Sequence, residues 1–214
     1  MLAVSANGAL GNAGLLLVLA ASFLGALTTG FAIVTGNRRG MRQGITYAWL
    51  ILAGALLSVI AMQRALEMRD DSIAYLQLVG SRCSPGLYKV AAMWSALEGS
   101  ILLWVLVLAG FTAAVAWRFR SRADDELVAW ALVVMVVVTA FFALVSFGPA
   151  NPFAAGAEVA RNFDGRAPNP LLQHHVLVLF HPPILYLGYV GFTVPFAFAI
   201  AALITGRVGE GWLL

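Results

Sequence analysis

Apolar residues in this chain run in long unbroken blocks, without the strict alternation of a half-buried strand or the one-sided stripe of a water-facing helix. Five blocks stand out: Leu10 to Val34, Ile45 to Met62, Ile101 to Trp117 with its boundary reaching back to Glu98 (98–117), Leu127 to Phe147, and Ile184 to Thr205. A helix needs about 20 apolar residues to cross the hydrocarbon of a bilayer. The pattern therefore predicts an all-α fold, a polytopic transmembrane helix bundle of about five spans. Short polar stretches, Asn37 to Gly44 and Arg118 to Glu126, join the first span to the second and the third to the fourth. Longer segments, 63–92 and 148–183, make the other two connections.

The span ends carry local signals. Asp124, Asp125 and Glu126 stand where the fourth helix begins, and carboxylates there favour the free N–H groups of a first turn. Pro182 and Pro183 are expected to open the fifth helix, since proline's missing N–H costs nothing in a first turn. The residue before a proline is biased toward extended backbone, so His181 is expected just ahead of that helix with its ring held at the membrane surface. Within the fifth block, Pro195 frees the Gly191 carbonyl and predicts a kink, while Gly188 and Gly191 allow close helix approach.

Composition sharpens this picture. Across 214 residues, 61% are hydrophobic and 11% are charged, with a mean hydropathy of +0.88. A soluble domain carries roughly 25% charged residues; too few polar side chains are present to face water, which excludes a cytosolic enzyme. The net charge of +3 is no sign of nucleic acid, because the arginines gather at span ends. Arg38, Arg39 and Arg42 crowd one short loop and Arg118, Arg120 and Arg122 the other, which places both loops in the cytoplasm by the positive-inside bias. The longer segments are then expected on the outer face, with Met1 outside and Leu214 inside. No Lys or Arg precedes the first block, so it is expected to be retained and not cleaved as a signal peptide.

Candidate chemistry lies in the two longer segments. No block holds Asp, Glu, Lys, Arg or His in its interior, which argues against a proton-coupled pump or charged channel. Just past the first segment, Trp94 and Trp104 stand one to two turns either side of Glu98 at the outer boundary of the third span. They read either as interfacial anchors beside a helix N-terminus or as part of a platform for a large flat ligand. The second segment holds all three histidines, His174, His175 and His181. Neutral imidazole is a ligand for zinc, copper or haem iron; a lone histidine before two prolines also serves as a helix-entry residue. A three-histidine zinc site is disfavoured, because adjacent His174 and His175 do not converge on one tetrahedral ion. Cys83 is the single cysteine, which leaves no dithiol chemistry to this chain.

The strings MWSALEGSILLW (93–104), DDSIAYL, LYKVAAMW, GPANPF and NPLLQ followed by HPPILYLGYVGF (181–192) resemble the amino-terminal third of the cytochrome c maturation haem lyase family, CcmF and its NrfE relatives, within the wider CcmF/CcsA superfamily. The likeness runs over nearly the whole chain in order. It implies a component that handles haem, or transports it, and presents it at the outer membrane face for attachment to the two thiols of a CxxCH motif in apocytochrome c. In such a reaction the protein's task is positioning. By the resemblance His181 is the candidate axial ligand to haem iron and the setting is the bacterial inner membrane. The family pattern assigns no such role to His174 or His175, which are alternative ligands on their chemistry alone. Trp94, Glu98, Trp104, Pro182, Pro183 and Tyr186 are supporting residues, with no catalytic residue implied. Implied partners are apocytochrome c, a haem chaperone with other maturation proteins, the remaining part of the lyase, and membrane lipid. Ser95-Ala96-Leu97-Glu98-Gly99-Ser100 stands where the family commonly has Gly-Gly-His-Glu-Gly-Ser. The family's tryptophan-rich motif and second outer-face histidine lie further along than Leu214, so the chain is expected to be a fragment or one piece of a split protein, inactive by itself. A transporter or channel subunit moving haem or lipid, and a scaffold docking apocytochrome without touching iron, are the competing readings.

Overall fold

The computed structural model describes residues 5–81, 84–160, 162–167 and 175–209. Its elements are α1 (Ala6–Val34), α2 (Arg38–Met41), α3 (Gln43–Met68), α4 (Ala74–Val79), α5 (Gly86–Ala92), α6 (Leu97–Arg118), a 3-10 turn (Arg120–Arg122), α7 (Glu126–Phe147), α8 (Leu177–Gly191) and α9 (Thr193–Thr205). Five stretches are long and apolar enough to cross a membrane, the last being Leu177–Thr205. The five-span, all-α expectation holds among the described residues. Helices form through these blocks because every backbone group in lipid must find its partner within the segment.

α1 and α3 make the most extensive pairing, and α7 packs on the other side of α1. The α1–α3 crossing is close because small residues face each other. A Cβ added at Gly14 would lie 2.6 Å from the Gly54 carbonyl oxygen, and one at Gly54 would lie 2.7 Å from that of Gly14. Ser58 seals the crossing by donating to the Gly11 carbonyl at 2.9 Å. α6 packs against α3, and α9 against α7 through buried Ala197, Ala201 and Ala202.

One end of the bundle is closed by the longer connections. Ala74 N–H donates to the Ala154 carbonyl at 2.9 Å, Gly156 N–H to that of Ser72 at 2.7 Å, and the Gln77 amide to that of Ala157 at 2.7 Å. These bonds lay the α7–α8 connection across α4. Asp70, just past α3, ties in the start of α1: Asn7 Nδ2 donates to it at 2.9 Å and Ser72 Oγ at 2.5 Å. Burial alone would raise the Asp70 carboxyl, but hydrogen bonds from Ser5, Ser72 and Asn7 outweigh it and hold its pKa below the ordinary value.

The fifth span departs from expectation in two ways. α8 begins at Leu177, so Pro182 and Pro183 lie inside it, and His181 is helical where extended backbone was expected. The bias against helix before proline is overcome because the apolar run from Val176 already forms a turn, with Val178 N–H bonded to the His175 carbonyl at 2.9 Å. His181 consequently stands within the fifth apolar helix, four residues or about 6 Å along from Leu177. At the other site the expected kink is an interruption: α8 stops at Gly191, Phe192 is a turn residue, and Pro195 falls in the first turn of α9, where its missing N–H is harmless.

Two predictions test this framework. Gly54→Ala should destabilise the detergent-solubilised chain by about 1–3 kcal/mol, the usual cost of forcing a methyl into a packed contact; an unchanged unfolding midpoint would show that the crossing can open freely. For Asp70 the folded pKa lies below the unfolded 3.8, so its contribution is complete above that value and is lost as pH falls through the folded pKa. The stability difference between wild type and Asp70→Asn should therefore be constant above about pH 5 and shrink below pH 4; a difference that grows on acidification contradicts the assignment.

Candidate functional site

A proline at position 182 removes the N–H that would bond the Val178 carbonyl one turn back. The orphaned oxygen is taken by the indole of Trp94, whose Nε1–H donates to it at 2.7 Å. Trp94 sits in the turn between α5 and α6, and that turn is itself fixed from below. The Tyr75 hydroxyl, buried on α4, lies 3.0 Å from the Ala92 carbonyl and 2.9 Å from that of Met93, and accepts from Ala96 N–H at 3.3 Å. Desolvation raises the Tyr75 pKa, so the phenol stays a neutral donor. Gly99 is required beside it, because any side chain there would run into the Met93 carbonyl and the Tyr75 ring.

A second tether joins α8 to α6. Tyr186 donates from its hydroxyl to Ser100 Oγ at 3.2 Å, and Ser100 Oγ donates to the Trp94 carbonyl at 3.0 Å. The Tyr186 ring meets Trp104 edge-on at 5.5 Å between centroids, and Trp104 in turn packs against Phe142 at 5.4 Å. Trp94, Trp104 and Tyr186 are thus brought together as struts that hold α8. The structure separates Glu98 from them: with about 100° between successive residues, it turns to the opposite side of α6. There it lines a cleft of about 300 Å³ with Tyr75, Leu78, Gly148, Pro149 and Asn151.

His181 projects from the other side of α8. It is exposed and has no hydrogen-bond partner among the described residues, and exposed Leu177, Phe180 and Ile184 surround it on that face. Pro182 and Pro183 are half-buried toward the bundle. His175 is exposed ahead of the helix, with its Nδ1 accepting from Leu177 N–H at 3.2 Å, so one of its two ring nitrogens serves as a cap. His174 and Cys83 lie outside the described residues. Sequence reasoning missed Tyr75, Ser100 and the Val178 carbonyl; the legible signal was the proline four residues after Val178.

Residues 94–209 match the family described as Cytochrome C assembly protein, a stretch that starts at Trp94 and takes in both tethers and His181. The chain belongs to the cytochrome c assembly protein family. Within it, the chain is 39% identical over 201 residues to the cytochrome c-type biogenesis protein CcmF of Escherichia coli (strain K12), covering 93% of this chain and 30% of that protein. It is 48% identical over 156 residues to the cytochrome c-type biogenesis protein ccl1 of Rhodobacter capsulatus, covering 73% and 23%. It is 32% identical over 207 residues to the biogenesis protein NrfE of Haemophilus influenzae, covering 94% and 32%. A solved structure of a cytochrome c haem lyase CcmF superposes with a TM-score of 0.81 at 31% identity, covering 97% of this chain and 32% of that one. The chain thus spans about a third or less of the length of these cytochrome c assembly relatives.

Replacing Trp94 by Phe keeps the ring and deletes the donor. It should cost about 1 kcal/mol, the net worth of a typical hydrogen bond, with faster amide exchange confined to residues 176–181. Exchange that is unchanged there would show that the indole bond does not hold α8.

Proposed function

We propose that this chain is a haem-handling part of the cytochrome c maturation apparatus, a multi-pass protein of the bacterial inner membrane that offers His181 as an axial ligand to haem at the outer face. The single observation that carries the reading is the free imidazole of His181 in the apolar face of a doubly tethered helix. Ionisable side chains within apolar membrane helices are expensive and are kept for function. In this orientation the arginine-rich loops face the cytoplasm and the end closed by α4, α5 and the α7–α8 connection faces outward.

The residues fit haem in kind. An unbonded imidazole nitrogen is the donor haem iron takes, and Leu177, Phe180 and Ile184 offer the macrocycle an apolar surface. His175, with one nitrogen engaged as a cap, retains the other as an alternative donor. When bound, haem supplies the vinyl groups to which the CxxCH thiols of apocytochrome c add. This chain's own work is positioning. Trp94 and Ser100 clamp α8 to the start of α6, Tyr186 and Trp104 fix its rotation, and His181 is held facing away from the bundle, toward the remaining part of the lyase and the incoming apocytochrome. Delivery by a haem chaperone and assembly with other maturation proteins belong to the same reading.

The test is a haem titration of the purified chain in detergent, followed by its Soret absorption. His181→Ala should weaken haem binding at least about tenfold, or roughly 1.4 kcal/mol, while His175→Ala should change it less. An unchanged spectrum and affinity in His181→Ala would favour a scaffold that docks apocytochrome without touching iron.

A further inference from the structure

The end of the bundle opposite to His181 carries seven arginines: Arg38, Arg39, Arg42, Arg118, Arg120, Arg122 and Arg207. Most are occupied. Arg42 pairs with Asp124 at 3.5 Å, while Arg122 and Arg207 share Asp125 at 3.1 and 2.7 Å. Arg120 lies over the Trp117 ring at 5.0 Å and Arg118 over Phe119 at 5.5 Å. Arg38 and Arg39 are exposed and have no ion pair among the described residues.

Their backbone is fixed. Asn37 accepts from Gly40 N–H at 3.1 Å and donates its own N–H to the Ala32 carbonyl at 2.8 Å. Gly40 packs so tightly that a Cβ there would lie 2.6 Å from that of Ala32, and Met41 is buried beside Ile33 and Ala129. With Gly40 and Met41 turned inward, the two arginines are left on the outside. Leading up to them along α1 is an exposed apolar stripe, Leu27, Phe31 and Val34, at 68, 71 and 79% exposure. Its four- and three-residue spacing keeps it on one helix face.

We propose that this corner is a binding site for one anionic phospholipid, its phosphate held by Arg38 and Arg39 and its acyl chain laid along Val34, Phe31 and Leu27. Charge complementarity selects the headgroup, since planar guanidinium forks match phosphate oxygens. The apolar stripe selects a lipid over a soluble phosphate, because a free anion makes no use of it. The site lies at the other end of the bundle from His181, so it stands or falls independently of the haem reading.

The experiment uses the full chain, delipidated in a non-ionic detergent, with native mass spectrometry to compare phosphatidylglycerol and phosphatidylcholine of identical acyl chains. Phosphatidylglycerol should be retained about tenfold more strongly at low salt, with the preference fading as salt screens it. Arg38→Gln with Arg39→Gln should abolish most of the preference, and replacing both by Lys should keep part of it. Arg64→Gln at the other end should leave it intact. Millimolar inorganic phosphate should not displace the lipid. Equal retention of the two lipids, a preference untouched by the double Gln variant, an equal loss in Arg64→Gln, or displacement by phosphate would each overturn the proposal. Circular dichroism of every variant checks that helicity is retained, so that a loss is read at the site.

Discussion

Hydrocarbon offers no hydrogen bonds, so a carbonyl that loses its helical partner is costly unless another part of the protein answers it. Pro182 creates such a carbonyl at Val178, and the Trp94 indole answers it. Much of the outer architecture follows from that demand. The turn bearing Trp94 has to stand beside α8, which requires the Tyr75 hydroxyl to gather the carbonyls of Ala92 and Met93 and requires glycine at position 99. Ser100 then lies where it can bond both the Trp94 carbonyl and the Tyr186 hydroxyl. A proline that would weaken an isolated helix thereby fastens this one to its neighbour.

The two ends of the bundle solve different problems. At the end closed by the longer connections, short helices and a pair of antiparallel backbone bonds build a lid of polar contacts, with Asp70 anchoring the start of α1. At the other end the carboxylates of Asp124 and Asp125 gather Arg42 and Arg122 from two connections and Arg207 from just past α9. Hydrogen bonding at Leu127 N–H and the nearby guanidiniums outweigh the burial that would raise Asp125, and hold its pKa below the ordinary value. Between the ends the helices meet through small residues, since lipid gives two apolar helices no hydrophobic reason to associate and close van der Waals contact has to supply the attraction.

How far the sequence could be read is clearest in the fifth span. Its apolar block was visible, and so was the chemical promise of His181. The start of the helix was not, because the extended bias of a pre-proline residue and the helical drive of Val176 to Phe180 compete locally, and the outcome depends on a hydrogen bond from Trp94, more than 80 residues away. Trp94, Glu98 and Trp104 looked like one group on spacing alone. Helical rotation separates them: the tryptophans face α8, and Glu98 faces the cleft beside Tyr75.

By itself, then, the sequence determined that this is a five-span helical membrane protein, where its arginines cluster, and, through its motifs, which family it resembles. Each of these depends on composition or short-range pattern, and the cost of moving polar groups into hydrocarbon leaves few alternatives. Only the tertiary structure decided that His181 lies within a helix, that its ring is exposed on the side away from the bundle, and that Trp94 and Tyr186 bond α8 to the start of α6 while Glu98 turns to a separate cleft. Those outcomes rest on contacts between distant segments, among them the bond from the Trp94 indole to the Val178 carbonyl and that from Tyr186 to Ser100.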